Sequence, residues 1–356
     1  MRPTLSAVFA SLLIGISAFP IAPETNAQAR VRQLVEIPGV FVENIAVRPN
    51  GNLILNTISQ GQIYSLDPSQ KNPEAHVVAS IEGVNALTGI TPVGKDVYAV
   101  AGSNLDLEKA QFHNGSMKIA LVSFENCGKS AGDAASVDVI IEGTDIGPVN
   151  GLTTLPRHQH IVLGADSTRG KIVRIDTIKR TAKDIFQDDL LAPVPDPSYP
   201  LGVNGIKVFK NHLYFTNTAQ RIFGRVKIDQ FGNKAGNIEI IAQLPAGSAA
   251  APDDFVMDKH GNAYVAFWTN SLIKITPDGE QVTVLEGDIL ASPTSSTLSR
   301  DGRKVYVGTA GQGSEIVSGG QWWRSSCRCF LLDYNVGFVW KAITRDMGTA
   351  FAQRCL

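Results

Sequence analysis

Leu201-Gly-Val-Asn-Gly-Ile206, followed by His212-Leu-Tyr-Phe-Thr216 and Gly224-Arg-Val-Lys-Ile-Asp229, is the stretch from which the fold is read. A Gly/Asn turn leads into two short runs rich in β-branched and aromatic residues, the composition of strands bounded by turn formers. The same order is spelled earlier as Val149-Asn-Gly-Leu152, His160-Ile-Val-Leu163 and Gly170-Lys-Ile-Val-Arg-Ile-Asp176. It is spelled again as Asp253-Asp-Phe-Val256, Asn262-Ala-Tyr-Val-Ala266 and Ser271-Leu-Ile-Lys-Ile275. Each copy opens on a polar residue.

Extended outward, the pattern has six copies, with heads at Glu43, Thr88, Asn150, Asn204, Asp253 and Thr294. Successive heads stand 45, 62, 54, 49 and 41 residues apart. A period of this size, with about four short strands in each, predicts an all-β, six-bladed β-propeller. In the first copy Val42-Glu-Asn-Ile-Ala-Val47 and Asn52-Leu-Ile-Leu-Asn56 flank Pro49-Asn-Gly51, a hairpin signal, and Gln62-Ile-Tyr-Ser-Leu66 follows. The long second spacing holds an insertion near Asn104–Gly115; Gly128–Gly132 and Asp196–Pro200 read as loops. No helical periodicity appears after the first residues, so a parallel α/β fold lacks its crossover helices.

The 356 residues carry a formal net charge of -1, which gives no reason to expect nucleic acid or an anionic membrane as partner. Residues 1–27 read as a secretory signal peptide: Met1-Arg2 is a positive start, Leu5–Ile16 a short apolar run, and small residues follow. That run is shorter than the ~20 residues of a spanning helix, so no membrane association is expected after cleavage. The expected location is secreted or within the secretory pathway, where Asn114-Gly-Ser116 is a candidate glycosylation site. Residues 28–320 are assigned to the propeller. Residues 321–356 depart from the pattern, with three of the four tryptophans and three of the four cysteines; they read as a divergent tail, either a gene-model artefact or a genuine closing strand and extension. In the closed ring Gln33–Ile37 would help complete the sixth blade. Cys127 alone in the body argues against a disulfide framework. The histidines His113, His158, His160, His212 and His260 show no metal or triad spacing, and no nucleophile elbow, phosphate loop or dinucleotide fingerprint is present.

The heads resemble those of the senescence-marker-protein, gluconolactonase and luciferin-regenerating-enzyme-like superfamily of six-bladed propellers, over about residues 33–320. That resemblance implies a divalent metal, often calcium, at one mouth of the channel. Glu43 stands where the family has a Gly-Glu motif, Asn204 in its Asn-Gly turn and Asp253 where it has Pro-Asp-Gly. These three are the candidate metal ligands, and hard cations favour such oxygens. Asn150, Asp254 and Trp268 are the candidate substrate contacts; Asp254 replaces the family's glycine. Each has a plainer reading: Asn before Gly forms turns, paired aspartates cap loops, and Trp268 packs between blades. Glu43, between Val42 and Ile45, is harder to explain without a partner.

Glu43-Asn-Ile-Ala-Val-Arg48, Leu201–Lys207 and Asp253-Asp-Phe255 look like a secreted fungal branch of the superfamily, active in secondary metabolism. Some members are hetero-Diels–Alderases that join a quinone-methide unit to a terpene alkene. The resemblance therefore implies a pericyclase acting on an apolar, polyketide- or terpene-like small molecule, with no cofactor required. The alternatives are a metal-dependent, gluconolactonase-like lactonase, for which calcium is the expected ion, and a non-catalytic ligand-binding propeller. The catalytic residues are not assigned by the sequence.

Overall fold

A computed structural model describes residues 31–311 apart from 108, 110, 125–132, 144–145, 195–200, 244–250 and 269, together with the backbone of 332–335. The expected signal peptide, the loops at 128–132 and 196–200 and nearly all of the tail lie outside the described residues. The regular secondary structure of the described chain is all strand apart from one short 3-10 turn at Asp288–Leu290. Among the described residues no helix is long and apolar enough to cross a membrane.

The strands form six four-stranded antiparallel units. Blade 1 is Phe41–Val47, Leu53–Ile58, Gln62–Leu66 and His76–Ser80. Blade 2 is Ala86–Gly94, Val97–Ser103, Lys118–Ser123 and Ser136–Glu142. Blade 3 is Val149–Leu155, His158–Asp166, Lys171–Asp176 and Thr181–Gln187. Blade 4 is Val203–Phe209, His212–Asn217, Ile222–Ile228 and Lys234–Gln243. Blade 5 is Pro252–Met257, Ala263–Phe267, Ser271–Ile275 and Gln281–Glu286. Blade 6 is Pro293–Leu298 and Lys304–Thr309, then Leu332–Asn335, with Arg32–Gln33 outermost.

Each innermost strand packs against those of the two adjacent blades, and blade 6 returns onto blade 1, so the ring closes. Closure mixes both ends of the described chain: Arg32 pairs with Asp333, and Leu332–Asn335 pairs with Lys304–Val307. The third strand of blade 6 comes from within 321–356, beyond the expected end of the propeller at 320, and Arg32–Gln33 takes the outer edge, whereas Leu34–Ile37 of the expected Gln33–Ile37 are not strand.

The apolar residues that alternate along the strands meet between blades. Ile54 and Ile63 of blade 1 join Leu87 and Val100 of blade 2; Leu163 and Ile172 of blade 3 join Ile206 and Phe215 of blade 4. Fully burying such side chains contributes about 1.5–3 kcal/mol each. Blade interfaces, not a single central core, hold the molecule together. The insertion of blade 2 is a small hairpin, Leu105–Asp106 with Gln111–Phe112. Leu105, Leu107 and Phe112 lie on Phe41, Ile58, Ala86 and Ala310, at the end of the ring where the innermost strands begin.

Candidate functional site

All six heads fall where an innermost strand breaks register with its neighbour. The breaks lie at Val42/Asn44, Leu87/Ile90, Val149/Leu152, Val203/Ile206, Pro252/Phe255 and Pro293/Ser295. The heads are therefore β-bulges inside strands, not the Asn-Gly turns that the sequence suggested. A bulge re-aims a side chain that a regular pleat would send between blades. Neither Gly151 nor Gly205 has positive φ. Their glycine is required by close approach instead: a Cβ on Gly151 would collide with the Asn204 carbonyl, and one on Gly205 would fall on the Asp254 carboxylate.

Hydroxyl groups lock the heads at one level. Thr88 Oγ1 donates to the Val149 carbonyl at 2.6 Å, Ser167 Oγ to Val203 at 2.6 Å, Thr218 Oγ1 to Pro252 at 2.9 Å and Thr294 Oγ1 to Val42 at 2.8 Å. Each accepting carbonyl belongs to the residue just before the head of the next blade, so every bond carries position around the ring.

Glu43, Asn204 and Asp253, from blades 1, 4 and 5, come together in this ring and are 7%, 1% and 2% exposed. Burial, then the negative charge of Asp254, pushes the Glu43 carboxyl up to about 8. Asp253 is held well above the ordinary carboxylate range by burial and by the charge of Glu43, against the opposing pull of the Trp268 indole N–H and the Asn204 amide. Trp268 Nε1 donates to Asp253 Oδ2. Asn204 Nδ2 donates to Thr218 Oγ1 at 2.9 Å, while Asn204 Oδ1 is buried and has no hydrogen-bond partner among the described residues.

Two crowded, buried carboxylates and one orphaned amide oxygen form an all-oxygen donor set that suits a hard divalent cation. Among the described residues no three His, Cys, Asp or Glu side chains form a metal-binding group, so this set depends on the amide as its third member.

Asp254, the second residue of the blade 5 bulge, makes a separate structure. Its Oδ1 accepts from Lys207 Nζ at 2.6 Å and from the Phe255 amide at 2.7 Å. Its Oδ2 accepts from Asn44 Nδ2 at 2.8 Å, a bond that joins blade 5 to blade 1. Asn44 Oδ1 in turn accepts from the Ile45 amide at 3.0 Å. Lys207, Asp254 and Asn44 thus form a polar strap beside the head ring, and Gly205 leaves room for it.

Asn150 occupies the same bulge position in blade 3 and is buried, with Gly151 packed against Asn204 of the next blade. Trp268, at the end of the second strand of blade 5, is half-buried over Asp253. Asn114 lies apart from this ring, exposed in the turn after the blade 2 hairpin; Ser116 Oγ accepts there from the Asn104 amide at 3.0 Å and donates to the His113 carbonyl at 2.7 Å. Sequence reasoning missed Asn44, Lys207 and Thr218. Thr218 had a signal, since Ser167 stands at the same place after the second strand of blade 3. The Asn44–Asp254 contact joins residues 210 apart and had none.

Residues 202–311 match the family described as SMP-30/Gluconolactonase/LRE-like region. A Phoma sp protein named as a candidate hetero-Diels-Alderase is 27% identical over 69% of this chain and 74% of its own length. A Sarocladium schorii protein named likewise is 25% identical over 76% of this chain and 74% of its own. Among solved structures, a luciferin-regenerating enzyme superposes with a TM-score of 0.60 at 14% identity, covering 85% of this chain and 96% of that one. Regucalcin from Agrobacterium tumefaciens, titled a calcium-binding protein, gives 0.57 at 16% identity over 84% and 92%. Residues 202–311 thus resemble the SMP-30/Gluconolactonase/LRE-like region, and the likeness to these solved structures shows that the chain shares their propeller fold.

Proposed function

We propose that this chain is an enzyme of fungal secondary metabolism that catalyses a hetero-Diels–Alder reaction, joining an electron-poor quinone-methide-type heterodiene to a terpene alkene at the head ring. The observation that carries this reading is the similarity to two relatives of that name, each spanning 74% of the relative's length. The reaction forms one C–O and one C–C bond in a single cyclic shift of electrons. It needs no nucleophile and no net proton transfer. What it needs is two apolar partners held in one orientation, and donors fixed where charge grows on oxygen. Head residues held by hydroxyl-to-carbonyl bonds provide fixed polar groups, with apolar side chains of the blade 2 hairpin at the same end. Asn150 and Trp268 are the proposed substrate contacts of this ring.

Glu43, Asn204 and Asp253 would hold a divalent cation such as calcium, which when bound would polarise a carbonyl oxygen. The pericyclic reaction does not depend on one. The oxygen donor set does favour a second reading, a metal-dependent lactonase. Purified protein should be offered a quinone-methide precursor with a terpene alkene, and separately a panel of lactones, each with and without a chelator. Faster cycloaddition that survives chelation supports the pericyclase. Lactone turnover abolished by chelation and by Glu43→Ala supports the hydrolase instead. With neither activity, the reading as a ligand-binding propeller gains. We further propose that the protein enters the secretory pathway and carries a glycan on Asn114, which a mass shift on N-glycosidase treatment would report.

A further inference from the structure

Five members of the site, Glu43, Asn44, Asn204, Asp253 and Asp254, are each no more than 7% exposed. Lys207 is different: its side chain is 25% exposed, although its ammonium is fixed by the 2.6 Å ion pair to Asp254. An ammonium has three N–H donors, and the contact to Asp254 uses one. Asp254 is itself anchored by the Phe255 amide and Asn44, so it holds Lys207 in place and leaves it little freedom to swing away. The Phe255 ring lies 5.3 Å from Nζ.

We propose that Lys207 is the donor that a ligand meets in this site, and that the matching ligand group is a conjugated carbonyl oxygen on an otherwise apolar ring. This rests on the pericyclase reading for its reaction, but not for its binding partner. A neutral carbonyl fits better than an anion, because the Lys207 charge is already balanced by Asp254 at 2.6 Å and leaves no net positive charge to hold a full anion. A carbonyl offers only partial charge at rest and gains more as the heterodiene accepts electrons, so the ammonium bond strengthens on the way to the transition state. Lys207 is then a catalytic residue, and Asp254 and Asn44 are positioning residues that act through it.

The test uses the full chain and tropone, a conjugated cyclic ketone that undergoes no reaction alone. Three proteins are compared: wild type, Lys207→Arg, and the double variant Lys207→Met/Asp254→Asn, which removes the ion pair without leaving a buried carboxylate unpaired. Infrared difference spectroscopy reads the C=O stretch of bound tropone. Wild type should shift it to lower frequency and Lys207→Arg should keep much of the shift. The double variant should abolish the shift and weaken binding roughly ten- to hundredfold, as expected for loss of one charge-assisted hydrogen bond. An equal shift in the double variant overturns the assignment, and so does failure of wild type to bind tropone. Absence of cycloaddition by a wild type that shifts the tropone band counts against the pericyclase reading alone. A double variant that keeps wild-type kcat for cycloaddition counts against Lys207 alone.

Discussion

At the scale of single residues, the site sets buried carboxylates against each other. Glu43 has an ordinary value of 4.5 that burial and Asp254 push up to about 8. In cation-free protein the folded state therefore keeps a proton that the unfolded chain has released. Stability from this group is full below pH 4.5 and declines as pH rises toward 8. In chelator, denaturant midpoints of wild type should fall across that window, and Glu43→Gln should flatten the fall; an unchanged slope would show that Glu43 is not the buried group described. Gly205→Ala tests the close approach of blades 4 and 5. Its methyl would sit 2.7 Å from the Asp254 Cα and on the Asp254 carboxylate, so a loss of about 1–3 kcal/mol is expected from overpacking. Gly94→Ala, whose methyl would lie 3.5 Å from Val97 Cβ, should stay near wild type in the same denaturation measurement. Glu43 was legible in the sequence because a carboxylate between Val42 and Ile45 demands a reason. Lys207 was not, because its significance depends on Asp254 of the neighbouring blade.

At the scale of elements, the heads are held by hydrogen bonds between blades. Thr218 both donates to the Pro252 carbonyl and accepts from Asn204, each at 2.9 Å. Thr218→Val should cost about 1–2 kcal/mol in stability and release the Asn204 amide, so any cation or ligand affinity of the head ring should drop with it. Asn85 ties the hairpin of blade 2 to the ring: its Nδ2 donates to the Leu105 carbonyl at 2.9 Å and its Oδ1 accepts from the Leu105 amide at 2.7 Å. Asn85→Ala should speed hydrogen exchange at the Leu105 amide well before blades 3 to 5 respond. Strand positions were readable, since Gln62–Leu66, Ser271–Ile275 and Lys304–Thr309 are found where alternation and turn residues set them. The conformation of the heads was misread for a physical reason: an Asn-Gly pair signals a left-handed turn, and the same glycine also serves where a neighbouring backbone needs space. Sequence alone does not separate those two uses.

At the scale of the whole molecule, the repeat made the six-fold ring legible, because heads at matching phase must stand at matching places once the ring closes. What it could not convey is which side chains meet between blades distant in sequence, as Asn44 and Asp254 do. Closure between Arg32–Gln33 and Leu332–Asn335 joins the two ends of the described chain, so the ring and its site should unfold together. A head ring that orients two apolar partners for cycloaddition, as proposed, fixes the handedness of the product, which reports that orientation directly. With a quinone-methide precursor and a terpene alkene, the enantiomeric ratio of the adduct should move far from unity with purified protein. A racemic adduct formed at the uncatalysed rate, with and without the protein, would contradict it.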